Sequence, residues 1–370
     1  MATHKESKEF RILSAIGIIL VVAGHLGYNL FEIGDLFPYY SFHVFIFLFV
    51  SGYFYAPESK DRVGSYIWGK CKSLLFPYFL WNLVYGIAAQ LMRLAGFSIG
   101  ETLNFKTLFL SPFIDGHQFL YHYPAWFVPA LFLIEVINVL MRKVLSLLHL
   151  ENEWLIFAGC FLAGVLTVYL AQGGHVWGYY KIPGRILFML PGFQMGRIYR
   201  EKLEKYDKLS DGVYLLLVIL VQVLLNVWCA GLAFSAVWVG SFANGPSVPY
   251  ITVFTGIAFW LRISKILSKA PFFADKLTVI GRNTYAIMMH HIMSFMLVKG
   301  VFYLLSRCTS LCSEFNAEMF FNEINYVYPA GGMEASKWLY LLAGIGIPML
   351  IAKVQKHLQS KVKLLRKERN

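Results

Sequence analysis

Charge is scarce in this sequence. Asp, Glu, Lys and Arg make up 15% of its 370 residues, while 58% are apolar and the mean hydropathy is +0.57. Soluble domains carry about 25% charged residues, so the shortage excludes most of them. Cysteine is scarce too: there are five, none at metal-ligand spacing. Cys308 and Cys312 share one polar loop, where a disulfide is conceivable on an oxidising side, although unpaired thiols are the plainer expectation. The sequence has no repeat at short period and no likeness between its halves, which withholds support from the inverted-repeat design of many secondary transporters. It also lacks a G-x-S-x-G elbow, so nothing suggests a covalent acyl-serine.

What fills the chain instead is apolar runs of membrane length. A hydrocarbon core about 30 Å thick takes roughly 20 apolar residues as helix. Ten such runs lie between short polar connectors, at 10–31, 38–55, 73–95, 124–141, 154–171, 183–199, 212–232, 248–264, 279–304 and 337–354. They are continuously apolar, whereas a membrane strand alternates over about ten residues, so helices are expected rather than a barrel. The expected fold class is all-α: a single polytopic membrane bundle of about ten transmembrane helices over residues 1–370, with a short basic tail at 355–370. The polar start, MATHKESKEFR, before a long run that contains a His reads as an uncleaved first span.

Orientation follows from the basic residues. Of 33 Lys and Arg, 25 fall in the N-terminal segment, alternate connectors and the tail, seven fall on the opposite side, and Arg282 lies inside the ninth run. Positive connectors stay cytoplasmic, so both termini are expected there. This bias accounts for the net charge of +12 and removes any warrant for a nucleic-acid partner. The lipid bilayer is the expected partner, and a homo-oligomer is compatible with it. Two long loops on the opposite side, 96–123 and 305–336, are rich in aromatics, Gly and Asn; such loops suit an extracytoplasmic sugar, or serve only as covers.

The informative residues are ionisable ones within the runs, because hydration lost there is costly and such side chains face the bundle interior. They are His25, His43, Glu135, Arg185, Arg282, His290 and His291. At a rise of about 1.5 Å per residue, His25 lies roughly 21 Å above Arg11 and His43 roughly 8 Å below the outer edge, so the two imidazoles share a layer. His291 and Glu135 fall near the midplane, which allows a cluster of two or three imidazoles and one carboxylate. Such a cluster suits acyl transfer to a hydroxyl: His is the side chain best matched to take the proton at neutral pH. Glu135 would orient an imidazole, and a second His or an Arg would stabilise the oxyanion. The plainer alternative is that these groups only bond helix to helix. Arg185 and Arg282 are expected to snorkel to the outer and inner surfaces.

At this point the residues match a known pattern. GIILVVAGH, Gly17 to His25, resembles the first-span signature of the acyltransferase-3 family of membrane-bound O-acyltransferases, in particular the branch similar to fucose 4-O-acetylase. FHVFIFLFVSGYFY, Phe42 to Tyr55, resembles that branch's second span. Lys70 and Lys72 before LLFPY, PAWFVPALFLIEVI from Pro124 to Ile137, and IGRNTYAIMMHH from Ile280 to His291 are similar to later family stretches in the same order. The likeness covers nearly the whole chain.

The resemblance implies that His25 is the catalytic base, with His43 and His291 as the family's second-span and late-span His; Glu135 joins the expected catalytic set on the chemistry given above. It implies acetyl-CoA or another acyl-CoA as donor, handled by Lys70 and Lys72, and a cell-surface or lipid-linked carbohydrate as acceptor; Arg11 and Arg282 are further donor-binding candidates. Many members carry Arg or Lys eleven residues before the first His; here that position is Ser14, with Arg11 one turn earlier. The expected location is the cell membrane, taken as a bacterial inner membrane. Competing classes are a polysaccharide or small-solute transporter, whose paired broken helices are not visible, and a scaffolding membrane domain.

Overall fold

The apolar runs become helices. The computed structural model describes residues 7–27 and 35–369, and the regular elements among them are helices, with an isolated β-bridge between Ser235 and Gly240. In chain order they are α1 (Lys8–Gly24), α2 (His43–Tyr53), α3 (Val63–Lys70), α4 (Phe76–Leu94), α5 (Ser111–Ile114), α6 (Phe127–Leu147) and α7 (Glu153–Gln172). There follow α8 (Lys181–Ile198), α9 (Asp211–Trp228), α10 (Val248–Ser268), α11 (Pro271–Gly281), α12 (Thr284–Cys308), α13 (Ala317–Asn322) and α14 (Lys337–Arg369). Local chemistry sets several starts: the Asn152 side chain accepts the Trp154 and Leu155 amides at the head of α7, and Pro77, Pro249 and Pro271 open α4, α10 and α11.

Among the described residues seven helices are long and apolar enough to cross a membrane, those built on α4, α6, α7, α9, α10, α12 and α14. Three of the ten expected spans fall short. α1 has 17 residues as far as Gly24, and the end of that run, 28–31, lies outside the described residues. α2 has eleven residues, preceded by a 3-10 turn at Tyr39–Ser41. α8 has the length but carries Lys181, Arg185, Arg197 and an internal Pro191. These helices form the interior: twelve of 17 residues of α1 and twelve of 18 of α8 are buried, whereas α9 buries only Gln222. A helix walled by other helices tolerates charges that a helix facing lipid does not.

Small residues let the interior helices touch. A Cβ on Gly52 would lie 1.8 Å from the Phe193 carbonyl oxygen, and one on Gly196 would lie 1.9 Å from that of Phe49, so α2 and α8 meet backbone to backbone.

Several expected boundaries are corrected. The connector at 56–72 is itself helical, a 3-10 turn at Pro57–Arg62 followed by α3. A π-helical turn at Cys71–Leu75 then joins α4, where Pro77 has no N–H for the Ser73 carbonyl. The run at 279–304 is broken between α11 and α12, where Asn283 turns its side-chain amide back onto the Val279 carbonyl at 2.8 Å. Residues 355–369 continue α14 rather than forming a separate tail.

Candidate functional site

α1 ends at Gly24, and His25 caps it just as the chain leaves the helix; α2 begins at His43. Both side chains therefore sit at helix ends on the same side of the bundle, and both line a cavity of about 570 Å³. Loop residues His117, Tyr123, Trp238 and Asn325 close it, with Tyr40 and Phe42 from the approach to α2. His291, reached from α12, is fully buried, and its ring stacks on that of His25 with centroids 5.3 Å apart.

The imidazoles are oriented by their neighbours. His43 Nδ1 donates to the Tyr39 carbonyl, and His291 Nδ1 donates to the Ile287 carbonyl at 2.7 Å. A carbonyl only accepts, so in both neutral rings the proton sits on Nδ1 and Nε2 carries a lone pair. His291 Nε2 has no hydrogen-bond partner. His25 Nδ1 lies 2.7 Å from the Tyr123 hydroxyl, which also lies 2.9 Å from Asn325 Oδ1. At Nε2, therefore, His43 and His291 accept and do not donate while they are neutral. The expected role of a second His at the oxyanion therefore fits neither His43 nor His291 in that state.

Cations stand behind the cavity wall. Arg185 donates to the Ile114 and Val237 carbonyls at 2.9 and 3.0 Å and lies over the Trp126 ring. It is 3% exposed, which corrects the expectation that it snorkels to the surface: the carbonyls of Ile114 and Val237 take one guanidinium nitrogen inside, while its Nε has no hydrogen-bond partner. Lys181 is buried between the rings of Trp177 and Trp238, 4.3 and 4.0 Å from their centroids. Burial lowers the pKa of the loop imidazole His117 below its ordinary value; its bond to the Asp115 carbonyl opposes this, and Arg185 and Lys181 add to it.

Glu135 is not among the imidazoles. Its carboxylate accepts from Tyr66 and pairs with Lys70 at 2.5 Å, in a separate cavity of about 310 Å³ shared with Ser51, Tyr55 and Ser59. The expectation that Glu135 orients a catalytic His is corrected: its face of α6 looks towards α3, a helix absent from the sequence reading. Lys70 and Lys72 also part company. Lys72 lies over the Trp68 ring and lines a third cavity, of about 380 Å³, with Trp81, Tyr285, His290, Gln355 and Gln359. His290 thus faces away from His291; its Nδ1 lies 2.8 Å from the Tyr85 hydroxyl, and Tyr85 in turn stacks on His122.

At the α1 N-terminus, the absence of a side chain on Gly281 admits the Arg11 carbonyl, since a Cβ there would lie 2.0 Å from that oxygen. This brings Arg11 and the exposed Arg282 to one place, while Ser14 bonds back to the Phe10 carbonyl at 2.8 Å. Deeper at this end, Arg142 makes a forked pair with Glu153, at 2.8 Å on each side, and Arg197 joins it at 3.3 Å.

The sequence reading missed Tyr123, Asn325, His117 and Trp238. The first three lie in or at the end of the two long aromatic loops it had marked; the loop holding Trp238 carried no signal. Among the described residues no group of three or more His, Cys, Asp or Glu side chains is arranged to hold a metal ion, and all five cysteines, Cys308 and Cys312 included, are free thiols.

A helical bundle of membrane-spanning length with imidazoles gathered around an interior cavity defines a class, the multi-pass membrane proteins with a polar internal site. A family model, the acyltransferase domain of the acyltransferase-3 family, matches residues 8–353. The chain belongs to that family and is a membrane acyltransferase. No curated protein and no solved structure matches it.

Proposed function

We propose that this protein transfers an acetyl or other acyl group from acyl-CoA to a hydroxyl of a cell-surface or lipid-linked carbohydrate, as in the branch resembling fucose 4-O-acetylase. The observation that carries the reading is the cavity lined by His25 and His43, with His291 stacked behind His25. In this reading His25 Nε2 takes the proton of the acceptor hydroxyl. The oxygen attacks the thioester carbonyl carbon, the oxyanion collapses, the C–S bond breaks, and the CoA thiolate recovers the proton from His25. A base so placed contributes on the order of 10² to 10⁴ in rate. The lone pair of His43 Nε2 suits it to receive a second acceptor hydroxyl, a positioning task rather than an electrostatic one.

The membrane frame belongs to the same proposal. α1, α2 and α8 complete ten spans, both termini are cytoplasmic, and the His25 cavity opens on the extracytoplasmic side of a bacterial inner membrane. The donor then enters from the basic end, past Lys72, Arg11 and Arg282, and Lys70 reaches it only after leaving Glu135. The decisive experiment compares the surface glycans of cells with and without the protein by mass spectrometry. A gain of one acyl group per modified residue, lost in His25→Ala, is expected; glycans acylated equally by His25→Ala would refute His25 as the base.

A further inference from the structure

Three polar residues at or beside the cavity, Lys299, Asn325 and Tyr123, have no part in the scheme above. Lys299 of α12 is 1% exposed, and its ammonium donates to the Ile324 carbonyl at 2.9 Å. Burying an ammonium is costly unless it is paired and hydrogen-bonded, and the partner this one has is the loop that carries Asn325. Asn325 Oδ1 accepts from the Tyr123 hydroxyl at 2.9 Å, and that hydroxyl is the neighbour of His25 Nδ1 at 2.7 Å.

Proton counting along this chain has one outcome. An amide oxygen only accepts, so the single Tyr123 proton goes to Asn325 Oδ1. The Tyr123 oxygen is then left with lone pairs, and His25 Nδ1 has to donate to it. His25 Nε2 is thereby a lone pair, the form that His43 and His291 already share through their carbonyls. If Tyr123 gave its proton to Nδ1 instead, Nε2 would carry hydrogen and take no proton from a hydroxyl.

We propose that Tyr123 and Asn325, held in place by Lys299, are positioning residues that fix His25 in the tautomer with Nε2 free. The proposal rests on His25 being the base. Its test is chosen to fail separately, because a ring tautomer is observable without turnover.

The full-length protein, labelled with 15N-histidine and reconstituted in bilayers, reports each ring nitrogen as protonated or bare, with the His25 signals assigned by their loss in His25→Ala. A protonated Nδ1 and bare Nε2 are expected for His25 in the wild type. Asn325→Asp, whose carboxylate only accepts, keeps that pattern. Asn325→Leu frees the Tyr123 proton for Nδ1 and inverts it.

Turnover is followed as thiol release from acetyl-CoA in the presence of a glycan extract from cells lacking the protein. Asn325→Leu lowers kcat by about 10²-fold, with KM for acetyl-CoA changed by less than about threefold. Asn325→Asp restores kcat and moves the acid limb of its pH profile upward, as an added negative charge favours the imidazolium. The other ionisable groups acting on His25, namely His43 on α2, His117 in its loop and His291 on α12, and the Lys337–Glu334 pair that lies beside Gly27, are the same in both proteins, so the difference reports the relay.

Tyr123→Phe, which leaves the loops packed, mixes the two tautomers. A bare Nδ1 in the wild type, or an Asn325→Leu protein with wild-type tautomer and kcat, overturns the proposal. Full turnover by His25→Ala would overturn the base itself, and the 15N pattern would then stand alone.

Discussion

Removal of the Glu135 carboxylate separates a structural ion pair from a catalytic one. The Glu135 side chain is 2% exposed and that of Lys70 is 29% exposed, with 2.5 Å between them. Losing one partner of a fully buried pair costs about 3–5 kcal/mol. The two single substitutions differ because of that asymmetry. Lys70→Met strands a buried carboxylate that keeps only Tyr66, and it is expected to cost the full amount, about 3–5 kcal/mol. Glu135→Gln strands an ammonium that still reaches water, and it is expected to cost less, about 1 kcal/mol, as befits a partly screened charge. The double substitution leaves no charge stranded, so it is expected to cost less than the sum of the singles by about 1–3 kcal/mol.

Thermal unfolding of the purified protein in detergent measures the cycle, and thiol release from acetyl-CoA measures activity alongside. Glu135→Gln is expected to leave the pH dependence of turnover unchanged, since no imidazole touches the carboxylate. Additive stabilities, or a Glu135→Gln protein of wild-type stability whose acid limb has moved, would refute the placement of Glu135 in the Lys70 pair.

Other outcomes are equally direct. Gly196→Val puts a branched side chain where even a Cβ lies 1.9 Å from the Phe49 carbonyl oxygen; it is expected to cost more than about 3 kcal/mol and to abolish folded yield on size-exclusion chromatography, whereas Gly212→Val, in open space, does neither. Burial raises the Asp207 pKa, but hydrogen bonds from Lys265 and Tyr199 and the Arg262 charge overcome this and hold it below the ordinary value. Its stabilisation is therefore present above the unfolded carboxyl pKa of about 3.9 and is lost as pH falls through the folded one; Asp207→Asn is expected to lower the melting temperature at pH 7 and to narrow the gap to wild type near pH 3. Cys308 is exposed, so a membrane-impermeant maleimide is expected to label it on intact cells, and to label Lys356→Cys in a cysteine-free background only after permeabilisation. The reverse pattern would invert the proposed orientation.

Counting residues along a helix placed His25 and His43 at one level because axial rise is nearly constant, and the two share one cavity. The same arithmetic put Glu135 at a compatible depth and failed, since depth carries no information about azimuth. Glu135 points at α3, whose eight residues, Val63–Lys70, looked like a basic connector. Arg185 misled for a related reason: a span's polar end reads as solvent-facing until the carbonyls of Ile114 and Val237 are seen to be there first. Tyr123 and Asn325 sit in loops, where no period marks which side chain turns inward. Lys299 sits in a helix, but a single cation near a span's end reads as a topology marker. The whole-chain family likeness was legible because its motifs stand in helices whose order and spacing survive in the sequence.

α8 has a further consequence for how the protein is made. Lys and Arg cost about 2.5–3.5 kcal/mol each at the centre of a lone span, and less towards its ends, and α8 brings Lys181, Arg185 and Arg197 together with Pro191. Partition into lipid by itself would be unfavourable for such a segment. It packs against α7, made just before it, and α2, made much earlier. If α8 is one of the ten proposed spans, its biogenesis calls for retention beside the insertion machinery, first against α7, whose Glu153 pairs with Arg197, and then until Val237 and Trp238, made later, reach Arg185 and Lys181. Ribosome-bound chains ending after α8 but lacking α2 should slip back out of the bilayer.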